Sequence, residues 1–177
     1  MDIKLSHLRA VEWLESARNI DNSWGYLPGQ AGEGEPTLLA CAAGLRVPLD
    51  WLTLTELHWS SLLLPATLSA KKLTPVLIEK FKRAMVVHRG RRLDLDPAVN
   101  RLDGSLRGWA WVERTFSWVE PTAYALISSR ILGDLKSKRV LEGRAMLLDR
   151  QCADDSRYIK LGLLASWNAT LVSEIAG

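Results

Sequence analysis

The sequence predicts an all-α chain built from repeated helix pairs. Three observations carry this: an internal repeat, apolar residues recurring at helical spacing, and no segment that alternates apolar and polar residues as a half-buried strand does. The repeat is the strongest of them. Trp24-Gly25-Tyr26-Leu27 leads into Glu35-Pro36-Thr37-Leu38-Leu39-Ala40. Eighty-five residues later Trp109-Ala110-Trp111-Val112 leads into Glu120-Pro121-Thr122-Ala123-Tyr124-Ala125. Trp and Glu stand eleven residues apart in both copies. Five of the 17 aligned positions are identical: the Trp, the Glu, the Pro, the Thr and the last Ala. A unit of this kind cannot bury its apolar face alone, so neighbouring units must stack. One further helix pair between the copies makes the period half the offset, about 42 residues, which suits a helix-pair repeat.

The elements follow in order. Leu5, Leu8, Val11, Leu14 and Ala17 recur at three-residue steps, and Ala10 and Trp13 widen the stripe, which gives a first amphipathic helix. The glycine-rich stretch 19–35 reads as a loop. Pro36 suits the opening turn of a helix, so a short apolar helix is expected over 36–45. A second helix is expected from Pro48 or Leu49 to Leu64, stopped by Pro65. A third runs from Pro75 to about His88, with Leu77, Ile78, Phe81, Ala84 and Met85 on one face. Residues 89–108 are rich in Arg, Asp and Gly, with a short helical possibility around 97–102. The repeat then returns as a buried helix over 121–132, and an amphipathic helix is expected over 136–150. Residues 161–176 are a further helical candidate, and 150–158 align weakly with 18–26 as a partial third copy.

Length and composition bound the rest. The 177 residues suffice for a single domain 1–177 with its own core. The repeats occupy 8–152 of it, and the tail 153–177 departs from their pattern. The apolar run at Leu62–Leu64 is broken by Pro65 and falls far short of a membrane span. The N-terminus has no signal-like apolar run, and Cys41 and Cys152 are isolated thiols, which together suit a cytoplasmic setting. Charge is unevenly spread. Residues 71–92 hold eight basic side chains against the single acid Glu79, leaving fifteen basic and nineteen acidic residues elsewhere. Such a run reads first as a solvated helix face with its exit loop. Contact with anionic lipid headgroups or a diphosphate is the alternative. Nucleic acid fits poorly, since Phe81 is the one aromatic among these basic residues.

The glycine-rich turn ending in Trp, an aromatic two positions on, and Glu-Pro-Thr opening an Ala/Leu helix resemble the squalene cyclase / protein prenyltransferase β-subunit superfamily. Leu106 to Glu113 and Ser117 to Thr122 are similar to the bacterial prenyltransferase and squalene oxidase repeat proteins, as is Gly143 to Cys152. The resemblance covers most of residues 8–152. It implies an α/α toroid, here a partial one, whose inner helices line an apolar cavity for an isoprenoid chain. Aromatic faces in such a cavity stabilise carbocations through their negative quadrupole. The catalytic motifs of that superfamily are not matched. Asp94-Leu95-Asp96-Pro97 is the nearest approach to the acidic motif of the cyclases and reads as a turn. Neither cysteine has the zinc-ligand company of the prenyltransferases, and His7, His58 and His88 are scattered.

Candidate site residues follow from the repeat and the resemblance. Trp24, Tyr26, Trp109 and Trp111 either line a ligand cavity or wedge between helix pairs. Trp118 stands outside the repeat pattern and is the best candidate for a cavity-facing aromatic, with a rim position as the alternative. Glu35 and Glu120 precede a helix-opening proline. They are expected to cap helices, with a polar cavity rim or a general acid as the other reading. No catalytic residue, metal ligand or cofactor is assigned. Two functions remain open: binding of an isoprenoid-type or other apolar ligand, and a non-catalytic interaction module. The latter would be a shortened relative that self-associates or takes a protein partner through an open repeat end.

Overall fold

The computed structural model describes residues 3–54, 57–68, 72–96, 98 and 101–150. These are mainly helical, as the sequence predicts, with isolated bridges and no strand among them. The order is α1 (Ile3–Ser16), α2 (Gly34–Ala42), α3 (Leu49–Leu54), a 3-10 turn (Trp59–Leu63), α4 (Leu64–Thr67), α5 (Pro75–Val87), α6 (Val119–Ile131) and α7 (Lys138–Asp149). The chain divides into two units, Met1–Lys82 and Arg83–Gly177, with the division falling inside α5. The helix candidate at 161–176, Cys152 and all but Arg150 of the partial third copy at 150–158 lie outside the described residues, as do positions 97, 99 and 100 of the candidate at 97–102.

In the first unit, Trp24, Ala40 and Leu45 form a small core, and Val11, Leu14 and Ala17 of α1 pack against it with Val47. α2 buries Thr37, Leu38, Ala40 and Cys41, and packs on the 3-10 turn and α4. The single helix expected over 48–64 is a correction. α3 ends at Leu54, and His58 is extended, with φ −130° and ψ 160°. The cause is local. The His58 ring nitrogen accepts the Ser60 amide at 3.4 Å and starts a new helical turn, a side-chain bond that competes with helix continuation. Pro65 then lies in the first turn of α4, where its missing N–H costs nothing, and terminates no helix.

In the second unit, α6 packs against α7. The segment between α5 and α6 forms three extended runs joined by bridges: Arg89 with Trp109, Trp109 with Trp118, and Arg91 with Phe116. Their hydrogen bonds include Ala110 N–H to His88 O at 2.8 Å and Trp118 N–H to Trp109 O at 2.9 Å. α6 buries Pro121 to Leu126 together with Ser128 and Ser129, so it is enclosed on most of its circumference.

The two sequence copies share a set of hydrogen bonds. In each, the threonine of Glu-Pro-Thr reaches back across the loop to the backbone of the tryptophan thirteen residues earlier. Thr37 Oγ1 accepts the Trp24 N–H at 3.0 Å and donates to Trp24 O at 3.2 Å. Thr122 Oγ1 accepts the Trp109 N–H at 2.8 Å, lies 3.4 Å from Trp109 O and donates at 2.6 Å to Trp118 O within its own helix start. The tryptophan carbonyl also accepts the backbone N–H of the helix-capping residue, Glu33 in one copy and Trp118 in the other, both at 2.9 Å. Each indole N–H then donates to a carbonyl in the last turn of the preceding helix. The acceptors are Leu14 O in α1 at 2.7 Å and Met85 O in α5 at 2.9 Å. Leu14 O also accepts the Ala17 N–H just past α1 at 3.2 Å, so there the indole adds a second bond, while at the end of α5 it reaches Met85 O, a carbonyl of the last turn.

The helices that follow also end alike. Gly44 and Gly133 take positive φ, 96° and 79°, after α2 and α6. The next amides, Leu45 and Asp134, bond back to Ala40 O and Ser129 O at 3.1 and 2.9 Å. This is the glycine-terminated Schellman closure. α2 has nine residues and α6 thirteen, so the second copy is one helical turn longer.

Replacing Thr37 or Thr122 by Val keeps the volume and leaves the buried tryptophan N–H without its acceptor, while the tryptophan carbonyl keeps the N–H of the capping residue. Each change is expected to lower stability by about 1–3 kcal/mol, while Ser at either position keeps most of it. Thermal unfolding of the four variants checks this, and a Val variant as stable as wild type would show the strap to be dispensable.

Candidate functional site

The first unit holds a cleft of about 290 Å³. One wall is apolar, formed by Leu38, Trp51, Leu52, Leu57 and Leu64. Glu33, His58, Ser60 and Lys80 supply polar groups. This is the low end of the size range for small-molecule sites, with the mixture of apolar walls and a few polar groups that such sites use.

Each polar group is positioned by a helix end. Glu33 caps α2 with extended backbone. His58 caps the 3-10 turn, and its Nδ1 also lies 3.1 Å from the Ser60 hydroxyl. Lys80, on α5, donates through Nζ to Leu52 O near the end of α3 at 2.6 Å. Burial lowers the pKa of the Lys80 ammonium. Burial likewise lowers that of His58, with Glu33 acting in the opposite direction. The lining thus combines a cation, a carboxylate and an imidazole with apolar side chains, the chemistry that an amphipathic small molecule needs.

The second unit contains a polar cluster of a different kind. Glu142 on α7 meets Arg107 at 2.7 Å, Arg139 at 3.2 Å and Arg89 at 3.7 Å. Arg139 also donates to Arg107 O at 2.7 Å and to Gly108 O. Its guanidinium lies 4.2 Å from the Trp109 ring centroid, a cation–π contact. Burial pushes Arg139 down to about 10, against the opposing pull of Glu142, so it stays charged at neutral pH. Burial pushes Glu142 up, but the three guanidiniums outweigh it and hold the carboxyl below its ordinary 4.5. The cluster clamps α7 onto the loop that carries Trp109.

None of the residues singled out from the sequence lines the cleft of the first unit. Trp24 and Trp109 are 2 % and 0 % exposed and serve as core wedges. Tyr26 is exposed, and its hydroxyl donates to Glu35 at 2.5 Å. Trp111 and Trp118 stack with ring centroids 4.8 Å apart, and Trp118 is 39 % exposed. Glu35 and Glu120 each stand second in their helix, one place inside the first turn, because α2 and α6 open at Gly34 and Val119. The cap positions belong to Glu33 and Trp118. Glu35 and Glu120 complement the positive helix ends from there, and Glu120 accepts the Tyr124 hydroxyl at 3.1 Å. Asp96 accepts the Ala98 N–H at 2.8 Å, the bond of an Asx turn, as read from Asp-Pro. Cys41 is buried. Among the described residues no three His, Cys, Asp or Glu gather as a metal site needs, and no helix is long and apolar enough to cross a membrane. Comparison with family models, curated proteins and solved structures found no match to this chain.

Sequence reasoning missed the cleft. Lys80 was one cation in a basic run and His58 one of three scattered histidines. The signal for both lies in the fold, which returns α5 alongside the end of α3.

The Glu142 cluster sets a pH dependence. An acid held below its ordinary value stabilises the fold above pH 4.5, and that contribution disappears as pH falls through the lowered value. Glu142→Gln is therefore expected to cost about 1.5–3 kcal/mol at pH 7, as for hydrogen bonds to charged groups. It should also make unfolding less sensitive to acid below pH 4.5. Urea unfolding across pH for both proteins measures the two effects. Parallel pH profiles would remove Glu142 as the titrating group.

Proposed function

We propose that this chain is a helical-repeat binding protein of the squalene cyclase / prenyltransferase type. In this reading it takes an amphipathic small molecule, isoprenoid-like in its apolar part, in the cleft of the first unit. The observation that carries the reading is the cleft itself, with Lys80 and His58 beside Leu38, Leu52, Leu57, Leu64 and Trp51. The Lys80 ammonium attracts a phosphate or carboxylate head, the other nitrogen of the His58 ring can donate a hydrogen bond to it, and the leucines and Trp51 remove an apolar tail from water. The kinship is supported by the bond from the tryptophan N–H to the threonine hydroxyl that both copies make, which gives the shared motif a common structural task. The partial α/α toroid with a period of about 42 residues belongs to the same proposal. Catalysis forms no part of it, because Glu35 and Glu120 lie in helix first turns and neither lines the cleft.

Titration with farnesyl diphosphate and with farnesol, followed by tryptophan fluorescence, tests this. Both are expected to bind, the diphosphate more tightly. Lys80→Ala should weaken the diphosphate about tenfold, the loss of one charge-assisted contact, and leave farnesol nearly unchanged. Trp51→Phe should remove most of the fluorescence response. Absence of any response or thermal shift with both ligands would reject the cleft as an isoprenoid site.

A second reading, self-association, is favoured by α1. Its inner stripe packs on the Trp24 core, yet Leu5, Leu8 and Trp13 remain about half exposed. A helix face of this composition suits burial against another protein surface. Leu8→Glu with Trp13→Glu is expected to convert an oligomer to a monomer in light scattering. A wild-type protein that is monomeric at high concentration would dismiss this reading.

A further inference from the structure

We infer that the second unit carries a docking surface for anionic lipid bilayers, formed where the loop after α5 meets the loop before α6. This does not rest on the cleft of the first unit. Three apolar side chains stand out of the loop before α6: Val112, Phe116 and Trp118 are 64 %, 43 % and 39 % exposed. Trp118 stacks on Trp111 with an interplanar angle of 22°, and Phe116 lies 4.8 Å from Trp118 at 35°. These aromatics are thus held together as one ridge on the surface.

The loop after α5 brings positive charge to the same place. Arg91 N–H donates to Thr115 O at 2.8 Å, and Arg91 bridges with Phe116. Arg89 and Trp118 both pair with Trp109, on neighbouring extended runs. Arg89, Arg91, Arg92 and Arg114 are all exposed around the ridge, against Glu113 within the two loop segments. Asp94 and Asp96 follow in sequence, after the chain has left to pair Leu93 with Gly104. Glu142 draws on Arg89 from 3.7 Å but is bonded mainly to Arg107 and Arg139.

An exposed aromatic ridge beside several arginines matches the chemistry of a charged membrane interface. Trp and Phe enter the headgroup boundary, and guanidiniums pair with anionic phosphates and carboxylates. A single-stranded nucleic acid needs open ring faces on which bases stack. Here Trp118 lies nearly parallel to Trp111 and is in contact with Phe116, so part of each ring is taken by its neighbour. Exposed aliphatic Val112 in the same loop adds a surface that favours lipid.

The test is sedimentation of the full chain with vesicles of phosphatidylcholine, with and without phosphatidylserine. Binding is expected to the phosphatidylserine vesicles, to fall steeply with added salt, and to shift tryptophan emission to the blue. Each basic residue near such a surface contributes about fivefold. Arg91→Glu with Arg92→Glu should therefore weaken binding at least about twenty-fivefold. Phe116→Ser should weaken it while leaving the salt dependence intact. Circular dichroism and melting temperature verify that these exposed-site variants remain folded. Equal binding to neutral vesicles would overturn the assignment. So would binding by the folded arginine variant as tight as wild type, or capture of a single-stranded oligonucleotide without vesicle binding.

Discussion

The contact on which both halves of this chain depend is the threonine hydroxyl that reaches back to a tryptophan backbone. It does several things at once. It fixes the loop end to the first turn of a buried helix, because Thr37 and Thr122 both lie in that turn. It satisfies a buried peptide N–H that no ladder serves. It also orients the indole so that its N–H reaches the open end of the preceding helix. Helix, loop and helix are thereby joined through one residue. The remaining polar devices reinforce this arrangement. Arg18 lies 5.0 Å from the Trp24 ring and Arg139 lies over Trp109, although one comes from the end of α1 and the other from α7.

The sequence made the helical class legible because helix formation is local. Pro36 and Pro121 announced buried helices to within two residues of their starts. The stripe from Leu5 to Ala17 marked α1, and Val140, Leu141, Leu147 and Leu148 marked α7. The break at His58 was not legible. Trp59 to Leu64 is buried throughout, with Ser60 and Ser61 enclosed beside the apolar residues, so no solvent face marks its period, and the deciding bond is a single side chain to a single amide. The repeated residues were legible as a repeat, but their roles were not. Glutamate and tryptophan drew attention because they carry chemistry. Threonine, the least conspicuous identity of the five, makes the structural bond.

The candidate site was hidden for a different reason. A cleft arises where elements distant in sequence come together, and Glu33, His58 and Lys80 share no spacing rule. Charge counting came nearer. It marked residues 71–92 as unusual, and the fold splits that run among different tasks. Lys80 turns into the cleft, Arg89 joins the Glu142 cluster, and Arg91 and Arg92 stay at the surface. A single basic run thus serves three environments, which a linear count cannot separate.

The two copies place glycine at different points of the same tightly packed loop. The residue before the tryptophan and the residue before the helix cap are Ser23 and Gly32 in the first copy, and Gly108 and Ser117 in the second. A Cβ on Gly32 would overlap the Ser23 side chain, and one on Gly108 would overlap the Thr122 hydroxyl. Serine at 32 is therefore closed by Ser23, whereas at 108 the obstacle is Thr122, the threonine of the strap, whatever residue stands at 117. Ser117 instead accepts the Gly108 N–H at 2.8 Å. A loop grafted from the first copy into the second would bring its serine to position 108, against the very hydroxyl that holds the second copy together.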